Sequence, residues 1–131
     1  MRDSSIVTEE NPITVLLAED EPMLRQVVGQ TLRHSGYRVI EAEDGTAGLE
    51  MLRSEALIDV LLTDVKMPGL NGYELAEAGL SLRPTMKVML MTGYADEAIP
   101  DAIRLASIPI LRKPFDFAKL ASSVREGISP R

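Results

Sequence analysis

Ile13-Thr14-Val15-Leu16-Leu17-Ala18-Glu19-Asp20-Glu21-Pro22 is the stretch on which the fold turns. Its first six residues form a near-continuous apolar run, the pattern of a strand covered on both faces. Three acids follow at once, and Pro22 stands where the first turn of a helix tolerates proline. Leu24, Val27, Val28 and Leu32 then recur at helical spacing, and Gly36 stops that helix.

The rest of the chain repeats this unit. Tyr37–Ile40 is a second strand, and Asp44 caps a helix carrying Ala47, Leu49 and Leu52. Asp59–Thr63 is a third strand, and Asn71 caps a helix with Leu75, Ala76 and Leu80 on its inner face. Lys87–Met91 and Ile108–Leu111 are the fourth and fifth strands. Asp116 caps a last helix with Phe117, Leu120 and Val124 inward. Pro100 falls inside the fourth helical pattern, Ala95–Ala106, where it removes a backbone bond and clashes with the preceding turn. That helix therefore starts late, near Ile99, or is bent. Residues 1–12 carry no periodicity and read as a loose tail before a single domain over 13–128, with no output domain after it. Strands alternating with helices predict an α/β, doubly wound parallel sheet covered on both faces, with function at the carboxyl ends of the strands.

Composition narrows the chemistry. The chain has 131 residues and a formal net charge of −6, which argues against direct binding of a nucleic-acid backbone. Trp and Cys are absent, so the core is aliphatic, and disulfides, Cys-zinc sites and thiol nucleophiles are excluded. No apolar run reaches membrane-spanning length and no basic-then-apolar leader opens the chain, so a soluble, cytoplasmic protein is expected.

The strand ends hold the candidate site. Glu19, Asp20 and Glu21 end the first strand, Asp64 the third, Thr92-Gly93 the fourth and Lys113-Pro114 the fifth. Acids crowded at one edge repel, and a hard divalent cation removes that cost. Oxygen ligands without nearby His or Cys favour Mg²⁺ over Zn²⁺. Asp20 and Asp64 together suit the metal, whereas Glu21 reads as a solvent-facing acid. Pro68-Gly69 bends the loop after Asp64, so the Lys66 carbonyl can turn toward the cation. A carboxylate beside Mg²⁺ can attack phosphorus and form an aspartyl phosphate. The Thr92 hydroxyl and Lys113 ammonium are placed to meet the charge spread over the phosphoryl oxygens. A cis Lys113-Pro114 bond would fix the ammonium's direction, although a trans loop proline is the commoner case.

The set Leu17-Ala18-Glu19-Asp20-Glu21-Pro22, Leu62-Thr63-Asp64-Val65-Lys66-Met67-Pro68-Gly69, Met91-Thr92-Gly93-Tyr94 and Arg112-Lys113-Pro114-Phe115 resembles the receiver domain of two-component response regulators, of single-domain or hybrid-kinase type. The resemblance runs from about Ile13 to Gly127 with all motifs in order. It implies a flavodoxin-like sheet in the order 2-1-3-4-5. It implies Asp64 as phospho-acceptor, with Glu19, Asp20, Asp64 and the Lys66 backbone carbonyl as Mg²⁺ ligands. Thr92 would be the switch hydroxyl, and Lys113 the phosphate-pairing lysine. The phosphoryl group would come from a histidine kinase or histidine phosphotransfer protein. The response would reach an output partner through the face of the fourth helix, fifth strand and fifth helix, the family's usual homodimer surface.

Two departures stand out. Glu19 replaces the commoner aspartate, a conservative change. Ile110 stands where many receivers carry an aromatic that moves with the threonine, which puts the usual coupling in doubt. Tyr94 is the nearby aromatic; it either packs on its loop, or shields the acyl phosphate from water or takes part in the switch, and Lys66 could modulate hydrolysis similarly. His34, the lone histidine, reads as an exposed helix-end residue rather than a phosphohistidine. Such a module would be no enzyme beyond its own phosphorylation and dephosphorylation. Two alternatives use the same fold class: a Mg²⁺-dependent phosphohydrolase or phosphotransferase acting in trans, and a non-phosphorylated interaction module. The first calls for an Asp-x-Asp on strand one, which is absent, and the second for loss of Asp64 or Lys113, which are present.

Overall fold

A strand lying between two helical layers must be apolar on both sides; the first, third and fourth strands meet that demand, whereas the second and fifth, at the edges of the sheet, are half-buried and carry charged residues. In the computed structural model, which describes residues 12–93, 99–113 and 116–128, the five strands form one sheet. In chain order the elements are β1 (Thr14–Ala18), α1 (Pro22–His34), β2 (Arg38–Ala42), α2 (Gly45–Arg53) and β3 (Val60–Asp64). They continue with α3 (Gly72–Leu82), β4 (Lys87–Thr92), α4 (Asp101–Leu105), β5 (Ile110–Arg112) and α5 (Phe117–Ile128). The strand order is β2-β1-β3-β4-β5, and all pairs are parallel, as the family resemblance implied.

Alternation along β1 sends its side chains to two cores. Val15 and Leu17 join Val28 and Leu32 of α1 and Leu120 and Val124 of α5. Leu16 and Ala18 join Leu52 of α2, Leu75 and Ala76 of α3 and Ile103 of α4. The expected caps are present. Asp44 accepts from the Ala47 N–H at 2.8 Å, and Asp116 accepts from the Ala118 N–H at 2.9 Å. Asn71 and Glu74 close a reciprocal capping box at the start of α3. The late start of the fourth helix also holds, since α4 begins directly after Pro100.

Strand boundaries shift by one or two residues from expectation, three of them for a clear local reason, and one side chain differs. Tyr37 is not in β2. Its N–H reaches back to the Leu32 carbonyl at 3.1 Å, and Gly36 N–H to that of Arg33 at 3.0 Å. The pair closes a Schellman cap on α1, which uses the backbone a strand would need. Ile108 and Pro109 precede β5 rather than opening it, because proline has no N–H for the ladder. Asp59 lies just outside β3, where its carboxylate accepts from the Thr14 N–H at 2.8 Å and ties off the start of β1. Phe117 was expected inward, yet it is 39% exposed. It is the first residue of α5, and helical Cα–Cβ bonds tilt toward the N-terminus, so its side chain projects past the helix end. Most of the tail (residues 1–11), Tyr94 and Pro114 lie outside the described residues. Among the described residues no helix is long and apolar enough to cross a membrane.

Candidate functional site

Parallel pairing levels the strand ends. Ala18 lies beside Thr63, Asp64 beside Met91 and Thr92 beside Arg112. The residues just past these positions therefore meet at one edge. Carboxylate oxygens of Glu19, Asp20 and Asp64 converge within 4.8 Å of one another; Glu19 and Asp64 are buried and Asp20 is exposed. Lys113 reaches in from the end of β5, with Nζ 2.9 Å from Asp64 Oδ2 and 3.5 Å from Glu19 Oε1. Its backbone N–H donates to the Thr92 carbonyl at 2.8 Å, which ties the ends of β4 and β5 together. Thr92 is buried at the end of β4. Lys66 is exposed in the loop that follows Asp64. His34 is exposed at the C-terminal end of α1, as its position suggested.

The two buried acids are held by distinct sets of donors. Asp64 Oδ1 accepts from the Val65 N–H at 2.7 Å, which leaves Oδ2 facing Lys113. Glu19 Oε2 accepts from the Glu21 N–H at 3.0 Å. The Glu19 backbone is fixed on both sides: its N–H donates to the Ala42 carbonyl at 3.1 Å, and its own carbonyl accepts from Arg25 Nη1 at 2.8 Å.

Burial dominates the electrostatics of Glu19. Loss of water pushes its carboxyl up to about 7, helped by the nearby Asp64 charge and opposed by the Glu21 N–H and by Lys113. Burial alone would pull the Lys113 ammonium down, but its bond to Asp64 and the charges of Asp64 and Glu19 raise it above its ordinary value. The site is thus a carboxylate cluster incompletely neutralised by one ammonium. Three hard oxygen donors, two buried and one open to water, fit a small divalent cation that keeps part of its hydration shell.

Two contributors have no signal in the apolar periodicity. Gly72 opens α3 against the backbone of the site: a Cβ there would lie 2.0 Å from the Asp64 carbonyl oxygen and 2.7 Å from Val65 Cα. Only glycine allows that approach, and the Gly72 N–H bonds to the Val65 carbonyl at 2.8 Å. Arg25 is the other. Charged residues on a helix normally read as solvent-facing, and only the fold reveals its bond to Glu19.

Comparisons with known proteins identify the family and the fold. The family model described as "Response regulator receiver domain" matches residues 15–125. The response regulator receiver protein CpdR of Brucella abortus is 34% identical over 113 residues, covering 86% of this chain and 93% of that protein. Other curated relatives are longer: the chain spans 32% of a cyclic di-GMP phosphodiesterase of Thermotoga maritima and 12% of the Brucella abortus sensor kinase CckA. A CheY-like receiver domain protein of Methanospirillum hungatei superposes with a TM-score of 0.82 at 27% identity, over 90% of this chain and 94% of the other. The response regulator TrrA of Thermotoga maritima, solved in complex with Mg²⁺-BeF, gives 0.78 at 26% identity, over 87% and 97%. With the family model matching most of its length and the sheet in the same strand order, this chain belongs to the response regulator receiver domains of two-component systems.

Proposed function

We propose that this receiver accepts a phosphoryl group on Asp64 from a phosphohistidine of a histidine kinase or histidine phosphotransfer protein. The observation that carries this reading is the approach of Lys113 to Asp64 at 2.9 Å within the convergent acids. An Asp64 oxygen attacks phosphorus as the P–N bond breaks. The electron pair of that bond stays on the imidazole nitrogen, which takes up a proton, and an acyl phosphate remains on Asp64. Lys113 pairs with the transferred oxygens, and the buried Thr92 hydroxyl is the group that responds to them. Glu19, Asp20, Asp64 and the Lys66 carbonyl would hold Mg²⁺, which supplies positive charge against the repulsion between the acids and the incoming phosphoryl group. Tyr94, two residues after Thr92 in the sequence, and Lys66, in the loop after Asp64, are read as modulators of hydrolysis.

The response runs to the α4–β5–α5 face. In support, α4 carries Leu105 81% exposed, and a backbone bond joins the ends of β4 and β5 at Thr92 and Lys113. An output partner, or a second copy of the chain, would read that face. Ile110 is half-buried on β5, so side-chain repacking there involves an aliphatic group. We read the chain as a cytoplasmic signalling module that acts on no substrate other than its own Asp64.

The test is labelling with acetyl phosphate in the presence of Mg²⁺. The wild type should take up one phosphoryl group per chain, and Asp64→Asn none. Equal label on Asp64→Asn would sink the assignment.

A further inference from the structure

Arg25 lies in the first turns of α1, with its side chain only 19% exposed. Its guanidinium faces two ways. Nη1 donates to the Glu19 carbonyl at 2.8 Å, and Nε lies 3.5 Å from Glu41 Oε1. Glu41 belongs to β2, and its other oxygen accepts from Arg33 Nη1 at 2.9 Å. Arg33 also donates to the Val39 carbonyl at 3.2 Å, which fixes it along β2. Gly29 leaves room for this arrangement, since a Cβ there would stand 3.0 Å from Glu41 Oε2. A chain of contacts therefore runs from Arg33 through Glu41 and Arg25 to the backbone of Glu19.

The location matters because Glu19 and Asp20 follow Ala18, the last paired residue of β1, and so stand where the ladder ends. The Glu19 N–H is tied to Ala42 of β2, and Arg25 supplies the donor for its carbonyl, the first link toward Asp20. Building on the reading of the acids as a Mg²⁺ site, we propose that Arg25 is a positioning residue for that site. Held by Glu41, it sets the loop that carries Glu19 and Asp20 and thereby the affinity for the cation. A planar fork can bond a carbonyl and a carboxylate together, which one ammonium does not reproduce.

The experiment measures Mg²⁺ affinity by titration calorimetry on folded protein, checked by circular dichroism, for wild type, Arg25→Met, Arg25→Lys and Glu41→Gln. In parallel, the Mg²⁺ concentration giving half-maximal labelling by acetyl phosphate is compared with the maximal rate. Arg25→Met should weaken Mg²⁺ binding about tenfold, as removal of an outer-shell partner does at other metal sites. Arg25→Lys and Glu41→Gln should weaken it by smaller factors. Saturating Mg²⁺ should restore the maximal labelling rate in all three, a split that loss of general stability does not produce. An unchanged Mg²⁺ affinity in a folded Arg25→Met or Arg25→Lys, or a labelling defect that excess Mg²⁺ does not rescue, overturns the proposal. A wild type that takes up no Mg²⁺ overturns the reading of the site itself, a separate and distinguishable failure.

Discussion

The α2–α3 side of the sheet and its α4–β5 side are built to different standards. On the first, Asp44 caps α2 and the Asn71–Glu74 box caps α3. Arg83, at the end of α3, donates to the carbonyls of Leu52, Ser54 and Ala56 at 3.0, 2.9 and 2.7 Å, closing the C-terminal end of α2. On the second, α4 is five residues long, and its cap residue Pro100 offers no side-chain bond. Ser107, just beyond it, has φ of 56°, and Leu105 is left in water. A groove of about 490 Å³, open to solvent, lies beside Ser107, Ile108 and Pro109 where β5 begins. Few caps, a strained turn and an exposed leucine mark a segment of low local stability. The acceptor Asp64 hangs from the rigid side, and the segment proposed to respond is the loose one. A signalling module gains from that division: the chemistry needs fixed geometry, whereas a population shift needs a second arrangement close in free energy.

The largest expected effect breaks the rigid side. Gly72→Ala forces a methyl against the Asp64 carbonyl, so α3 must move off β3, and we expect a loss of about 3 kcal/mol in urea unfolding. A loss under about 0.5 kcal/mol, the range of ordinary surface changes, would show that this contact is soft.

An intermediate effect tests the charge at the site. The folded protein holds the Glu19 carboxyl near 7 against an ordinary value of 4.5, so in the absence of divalent cations its stabilising contribution is full below about pH 4.5 and is lost as pH rises through about 7. Metal-free wild type should therefore weaken across that window relative to Glu19→Gln, by on the order of 2 kcal/mol at the upper end. Added Mg²⁺ should offset the loss in wild type and do less for Glu19→Gln. Parallel stability curves for the two proteins would show that Glu19 is well solvated.

The smallest effect sharpens the contrast from the loose side. Ser107→Gly relieves a left-handed serine and should raise stability by about 1 kcal/mol. Its gain should appear as slower amide exchange in α4 and leave α2 and α3 unchanged. A gain spread evenly over the chain would dissolve the distinction between the two sides.

The legible parts of the molecule were those with local causes. Val15–Ala18 had to be a doubly covered strand, Asp44 and Asn71 had to start helices, and Pro100 had to delay one. Errors arose where two local rules competed. Tyr37 suits a strand by its aromatic ring, yet the Schellman cap claims its backbone, and Pro109 sits in an apolar run whose ladder it cannot join. Phe117 has the right spacing for the core but stands one turn too early to reach it. The candidate site was legible because its residue types are rare together at strand ends. Arg25 and Gly72 were not, since an exposed-looking arginine and a glycine at a helix start acquire meaning only from what lies opposite.

The order of apolar and turn residues, by itself, determined an alternating α/β chain with acids, a hydroxyl and an amine at strand ends, because periodicity and caps act over a few residues. Tertiary structure alone decided that Lys113 meets Asp64, 49 positions apart, and that Arg25, held by an acid on the edge strand, bonds the Glu19 carbonyl. Those meetings follow from strand order and register, which are set by how two helical layers bury both faces of one sheet.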